Sequence, residues 1–440
     1  MVKAEGCCGS SAGPLWAVAG SAALTENPQM QKGCIINDLE LPELGGEELS
    51  EELLNLNEGF WGPYRDIPSM ATATKKEEIL QIVESFAMVK RKHVGLFQRL
   101  TATVQRSLEL WSAADFALLC RSLGEVGCLH EDLCVAMAPR VTATISSCEV
   151  DDLVLLLDAY ARTRCHVPSA VEAVLQQTAL RLEEFSASQL CLHVSSMARL
   201  NICNERLLTS IADKLAEVVF PEDESVLQLR PPFSARDITM AAYSFARLGL
   251  REHGVWSTLS RASKPVIRHF TAKELQTLTV ALARVQRADA QLLDDISTQA
   301  QRRIAQFSAE PLALLLRGFA FLGRANDPLF TRALTQLPRV LLAARPADLV
   351  THLAGFVAAE VRSPFLFDLM TPMILEKAPM FTAFDWLLAL RSYAAAPQAD
   401  EMFLSALELH FKASELSKAE QSEAEEMIRH LRARLRFDSE

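Results

Sequence analysis

A fixed spacing constrains this chain more than any other feature. A short signature recurs along it: an aromatic or aliphatic residue, Ser or Thr, usually Ala, any residue, an acid or Gln, then an apolar residue. It appears as Trp111-Ser112-Ala113-Ala114-Asp115-Phe116, Phe185-Ser186-Ala187-Ser188-Gln189-Leu190 and Phe233-Ser234-Ala235-Arg236-Asp237-Ile238. It returns as Phe270-Thr271-Ala272-Lys273-Glu274-Leu275, and again from Phe307-Ser308 and from Phe381-Thr382. With the acidic position as anchor, the series is Glu78, Asp115, Asp152, Gln189, Asp237, Glu274, Pro311, Asp348 and Asp385. Successive anchors lie 37 residues apart, except one step of 48. That step is one period plus an 11-residue insertion at about residues 221–231. A constant period of this length marks a repeat architecture rather than a set of separate domains.

The signature is a helix start. A Ser or Thr at the N-cap accepts from the amide of the third helical residue, and the acid there reaches back to the cap's own amide. The preceding aromatic packs on the apolar residue after the acid as a hydrophobic staple. The acid also faces the positive end of the helix dipole. Pro311 replaces it in one unit, and the units at Asp152 and Asp348 lack the hydroxyl cap.

Helical periodicity follows each anchor. After Asp237 the apolar positions are Ile238, Ala241, Ala242, Phe245, Ala246 and Leu248, one buried face of a helix. Gly249 and Gly323 are expected to end such helices. A second amphipathic helix fills each unit, with Pro168, Pro328 and Pro364 near its first turn, where a missing amide is tolerated. The expected fold is all-α: an α-solenoid of about nine 37-residue helix–turn–helix repeats over residues 75–418. Residues 1–74 lack the period and read as an acidic, mostly disordered segment, with a short amphipathic stretch at 47–56 and an aromatic cluster at Phe60, Trp61 and Tyr64. Residues 419–440 read as a charged terminal helix.

The charge is unevenly placed. Formal net charge is −11, but residues 1–77 alone carry 5 basic and 12 acidic side chains. Residues 236–345 hold 16 basic and 8 acidic groups. A uniform basic coat is therefore excluded, whereas a basic patch within the repeats is not. Counted from the anchor, Arg falls at +10 in four units (Arg162, Arg199, Arg247, Arg284) and at +6 in three (Arg121, Arg317, Arg391). These positions are one turn apart on the same helix face, away from the buried stripe. Such a row suits a phosphate backbone, because a guanidinium is bidentate and stays charged. Arg near a helix C-terminus is also favoured by the dipole alone, so each of these residues has a purely structural alternative.

No phosphate loop, dinucleotide fingerprint, HExxH or GxSxG motif is present. The nine histidines are scattered, and the ten cysteines form no CxxC pair. Acidic pairs such as Asp151-Asp152 and Asp294-Asp295 suit capping or solvated faces. The expectation is a non-enzyme without cofactor, metal or small-molecule substrate. The apolar stretch at 14–24 is too short to span a bilayer, so no membrane insertion is expected. Composition predicts a soluble intracellular protein with reduced thiols.

The 37-residue hairpin, with Phe-Ser-x-x-Asp-Ile followed by Ala242-Tyr243-Ser244-Phe245-Ala246-Arg247-Leu248-Gly249, resembles the heptatricopeptide-type repeats of organellar RNA-binding proteins. These include FAST-kinase-like proteins, RAP-domain proteins and the repeat subunit of RNA-editing substrate-binding complexes. The resemblance covers residues 75–418 and implies mitochondrial RNA metabolism: transcript stability, processing, editing or rRNA assembly. It implies single-stranded RNA or rRNA and other proteins of a ribonucleoprotein complex as partners. Two departures stand out. The chain shows no C-terminal RAP-like domain, which argues against cleavage. Its first residues also lack the Arg-rich character of a presequence, so plastid and cytoplasm remain alternatives to the mitochondrion. The competing reading is a protein-interaction scaffold of a mitochondrial ribosome or another organellar assembly, since no regular aromatic lies on the arginine face.

Overall fold

Every capping signature opens a helix. The structure, a computed structural model, describes residues 76–219, 233–287, 289–325, 327–361, 363–396 and 401–438. The expectations for residues 1–74 and for the insertion at 221–231 lie outside the described residues. The first helices of successive units are α1 (Lys76–Met88), α3 (Ala113–Glu125), α5 (Val150–Thr163), α7 (Ala187–Arg199) and α9 (Ala235–Arg247). They continue as α11 (Ala272–Val285), α13 (Ala309–Phe321), α16 (Pro346–Ala358) and α18 (Ala383–Ala395). The second helices are α2 (Val94–Arg106), α4 (Glu131–Thr144), α6 (Pro168–Leu180), α8 (Glu205–Val219), α10 (Val255–Val266), α12 (Ala290–Arg302), α17 (Pro364–Lys377) and α19 (Glu401–His410). In the seventh unit the second helix is split into α14 (Pro328–Leu334) and α15 (Leu337–Leu341), with Pro338 in the first turn of the latter. A last helix, α20 (Lys418–Asp438), ends the array. No strand occurs among the described residues.

First helices pack on first helices in chain order, from α1 through α18 and on to α20. Second helices form a parallel layer, through contacts such as α2 with α4, α8 with α10 and α10 with α12. The all-α solenoid read from the period is the fold observed. Helix α7 packs directly on α9, so the 11-residue insertion leaves the stack continuous.

The capping chemistry follows the expected form, and the acid is its more persistent half. Asp115, Gln189, Asp237, Glu274 and Asp385 accept from the N-cap amide at 2.7–3.0 Å, while the cap hydroxyl accepts from the anchor amide. Asp152 and Asp348 keep the first bond, from Glu149 and Arg345, at 3.0 Å without a hydroxyl cap. Glu420 makes the complete box with Ser417 at the head of α20, 35 rather than 37 residues after Asp385. The staple is visible as ring contacts of Trp111 with Phe116 at 5.7 Å and Phe381 with Trp386 at 5.1 Å.

Two further positions are invariant in kind. At +12 the backbone is left-handed in eight units: Lys90, Gly127, Arg164, Asn201, Gly249, Gln286, Gly323 and Glu360 all have φ between +50° and +84°. The residue after each donates to the carbonyl of +8, as in Cys128 to Leu123 at 2.8 Å and Leu250 to Phe245 at 3.0 Å. This is a Schellman closure, and it turns every hairpin the same way. At +7 only small residues occur, buried in Ser122, Ala159, Ser196, Ser244, Ala281, Gly318, Gly355 and Ser392. They let neighbouring first helices approach closely: a Cβ on Gly355 would lie 3.2 Å from the Arg317 amide nitrogen.

Candidate nucleic-acid interface

The solvent-facing side of the first helices is built from anchor positions +3, +6 and +10. Position +3 carries a partly exposed aliphatic strip: Leu118, Leu155, Leu192, Met240, Leu314 and Leu388. The N-terminal edge carries the anchor acids. The +10 edge, about 15 Å further along each axis, carries the arginines. In α7, α9 and α11 the anchor acid or amide and the +10 arginine thus lie at opposite ends of the helix, whereas α3 and α5 bring a carboxylate, Glu125 or Asp158, to the arginine side.

At the acidic edge the carboxylates are already engaged. Lys76 Nζ donates to Asp115 at 2.9 Å, Ser188 donates to Asp237 at 3.0 Å, and Arg345 bridges Glu310 at 2.7 Å and Asp348 at 3.1 Å. Burial raises the Asp115 carboxyl, but bonds from Ser112 and the nearby Lys76 outweigh it and hold the group below its usual range.

The seven arginines fall into different environments. Arg121 pairs with Glu125 one turn along α3, at 3.3 Å. Arg162 and Arg199, on adjacent helices, share one carboxylate. Asp158, only 7% exposed, accepts from Arg162 Nε at 2.5 Å and from Arg199 Nη1 at 3.4 Å. The Arg162 stem lies over Gly124 of α3, with Cδ 3.6 Å from where a Cβ would stand. Arg391 makes a two-toothed pair with Glu423 of α20, Nε and Nη2 each 2.8 Å from an oxygen. Arg317 is partly buried on α13, where Gly355 of α16 approaches its backbone.

Arg247 and Arg284 differ. Both are partly exposed at +10 of the packed helices α9 and α11, with the exposed Arg251 just beyond the turn. None of the three has a carboxylate partner among the described residues. Glu252, next in sequence to Arg251, is held by Arg287 at 2.9 Å. Desolvation, then the like charges of Arg247 and Arg251, lowers Arg284 from its ordinary value, while Tyr243 acts the other way. The structure therefore assembles two pairs, Arg162 with Arg199 and Arg247 with Arg284. It turns Arg391 toward α20.

The count of arginines alone misses Asp158, Glu423 and Tyr243. Asp158 and Tyr243 occupy +6, so the identity of the +6 residue in each unit, whether or not it is arginine, is the sequence signal that marks them. Glu423 lies on α20, whose anchor is out of step by two residues, and no spacing rule points to it.

Among the described residues no group of three His, Cys, Asp or Glu side chains is placed to hold a metal ion. No helix there is long and apolar enough to cross a membrane. Cys120, Cys128, Cys134, Cys148, Cys165 and Cys191 are buried free thiols. Burial pushes Cys148 up to about 12 and Cys165 up to about 11, so neither forms a thiolate readily.

Against this geometry, the family model of the RNA-editing substrate-binding complex 6 protein matches residues 74–234 and again residues 225–413. The chain belongs to the RNA-editing substrate-binding complex 6 family. The two matches meet near the insertion and together span the first-helix face, including both arginine pairs. The helical-repeat superfamily suggested by the hairpin signature is the one the family model supports. Comparison of the sequence with curated proteins gives no match.

Proposed function

We propose that the chain is a non-catalytic, helical-repeat RNA-binding subunit of a mitochondrial ribonucleoprotein complex, of the kind that presents transcripts for editing or related processing. Membership of a family described by an RNA-editing substrate-binding complex supports the setting. The observation that carries RNA contact is the arginine edge, above all Arg247, Arg251 and Arg284, which have no carboxylate partner among the described residues. Guanidinium groups left unpaired along regularly spaced helices suit a repeating phosphodiester chain. The aliphatic strip at +3 gives unstacked bases or partner side chains an apolar surface beside it.

The purified chain should bind a single-stranded RNA oligonucleotide with an affinity that falls steeply as salt rises. Absence of binding at low salt would defeat this reading. A role as a protein scaffold is favoured by one observation: in α16 and α18 the +10 position carries Ala358 and Ala395 instead of Arg. A stoichiometric protein partner that stays bound after nuclease treatment would establish that role.

A further inference from the structure

The repeat supplies its own template for an anion site. At the α5–α7 step, three positions act together: +6 of the first helix (Asp158), +10 of the same helix (Arg162) and +10 of the next (Arg199). The carboxylate sits between two guanidiniums and offsets one of their two positive charges. At the α9–α11 step the same three positions hold Tyr243, Arg247 and Arg284. The packing of first helix on first helix is common to both steps. The two cations are retained and the carboxylate is gone, replaced by a partly exposed tyrosine side chain. Arg251, exposed beyond the Gly249 turn, adds a third positive group.

We infer that Arg247 and Arg284, flanked by Tyr243 and Arg251, form a phosphodiester-binding site in which an external phosphate takes the place that the Asp158 carboxylate occupies between Arg162 and Arg199. The inference rests on the RNA-binding reading and narrows it to one step of the array. A monoanionic phosphodiester matches the charge of the carboxylate it replaces. It also presents two non-bridging oxygens to two guanidinium forks.

The same symmetry designs the test. Tyr243→Asp restores at α9–α11 the arrangement already tolerated at α5–α7, so it should silence the site without unfolding the chain. The full-length protein is titrated against a fluorescein-labelled single-stranded 20-mer RNA between 50 and 200 mM KCl, with anisotropy as the readout. Tyr243→Asp and, separately, the Arg247→Gln/Arg284→Gln pair should each weaken binding about tenfold, the loss expected for one charge-assisted contact. Each should reduce the slope of log affinity against log salt by about 0.7, one phosphate's share for a single strand. Lys214→Gln, on the second-helix layer and paired with Glu183 and Glu217, should leave both unchanged.

If Tyr243→Asp is unfolded by circular dichroism, the arginine pair decides, since neither residue leaves a carboxylate orphaned. Variants that bind with wild-type affinity and slope overturn this site while leaving RNA binding intact. A wild-type chain that binds no RNA overturns both readings. Displacement of the RNA by an equimolar glutamate-rich peptide would reassign the cleft to an acidic protein segment and overturn the phosphodiester.

Discussion

Gly318 of α13 faces Thr279 of α11 so closely that a Cβ on residue 318 would stand 2.8 Å from the Thr279 γ-methyl. The Thr279 hydroxyl donates to the Leu275 carbonyl at 2.9 Å, which fixes its rotamer. Ala is normally better than Gly inside a helix by about 1 kcal/mol. Here Gly318→Ala should instead destabilise the chain by about 1–3 kcal/mol through overpacking. Thr279→Ser, which removes only the methyl, should recover much of that loss in the double variant. Urea midpoints of the four proteins measure the coupling.

Asp158 predicts an effect of opposite sign to that at Tyr243. Asp158→Ser installs the residue that α7 carries at the same position, Ser195, and releases Arg162 and Arg199 from their shared carboxylate. Stability should fall by about 1–2 kcal/mol, as expected when a hydrogen-bonded charge pair is broken at a partly exposed site. RNA affinity should rise several-fold, with a steeper salt dependence. Paired anisotropy and denaturation curves test both halves, and weakened RNA binding by a folded variant would contradict the prediction.

Arg391 should behave as a structural residue. Its bidentate pair with Glu423 joins α18 to α20, and Arg434 of α20 adds bonds to the Ala394 and Ala396 carbonyls. Arg391→Gln should cost about 0.5–1 kcal/mol, the range of a solvent-screened pair, and shrink that cost in high salt. RNA affinity should stay within twofold of wild type, which separates this arginine from Arg247 and Arg284.

Stability should decline in mild acid because of two buried histidines at +4, His193 and His352. Burial lowers His193 to about 3 and His352 to about 4, against an ordinary 6.5. Both folded values are depressed, so the unfolded chain takes up protons first as pH falls. Full stability is present above about 6.5 and is lost on the way down toward 4 and 3, at up to about 1.4 kcal/mol per pH unit per histidine. Denaturation midpoints at pH 7.5 and 5.0 should differ clearly in wild type. The difference should narrow in His193→Leu/His352→Leu.

The fold was legible because its strongest local signal, the capping box, is also its period. Seven anchor positions keep their acid or amide bonded to the N-cap amide even where the hydroxyl is lost. The left-handed turn at +12 was only half legible. Gly127, Gly249 and Gly323 announce it and Asn201 suits it, but Lys90, Arg164, Gln286 and Glu360 adopt the same conformation without a residue that favours it. There the Schellman bonds and packing override local preference. For the site, the helical period places arginines on one face, but whether each is neutralised depends on partners such as Asp158, on the preceding helix, and Glu423, on α20. Contacts of that kind are set by the angle at which helices pack, which no spacing within one helix reveals.

The separation of anchor residue from arginine along α7, α9 and α11 has a directional consequence. If the proposed RNA contact holds, a polyanion would be repelled from one rim of these helices and held at the other, which would confine it to a single lane running across them. Advance along that lane is counted in hairpins, and the stretch of strand sheltered from nucleases would lengthen with each arginine-bearing repeat rather than with total surface. Within such a lane, the carboxylate of Asp158 would act as a stop and the arginines beside Tyr243 as a station.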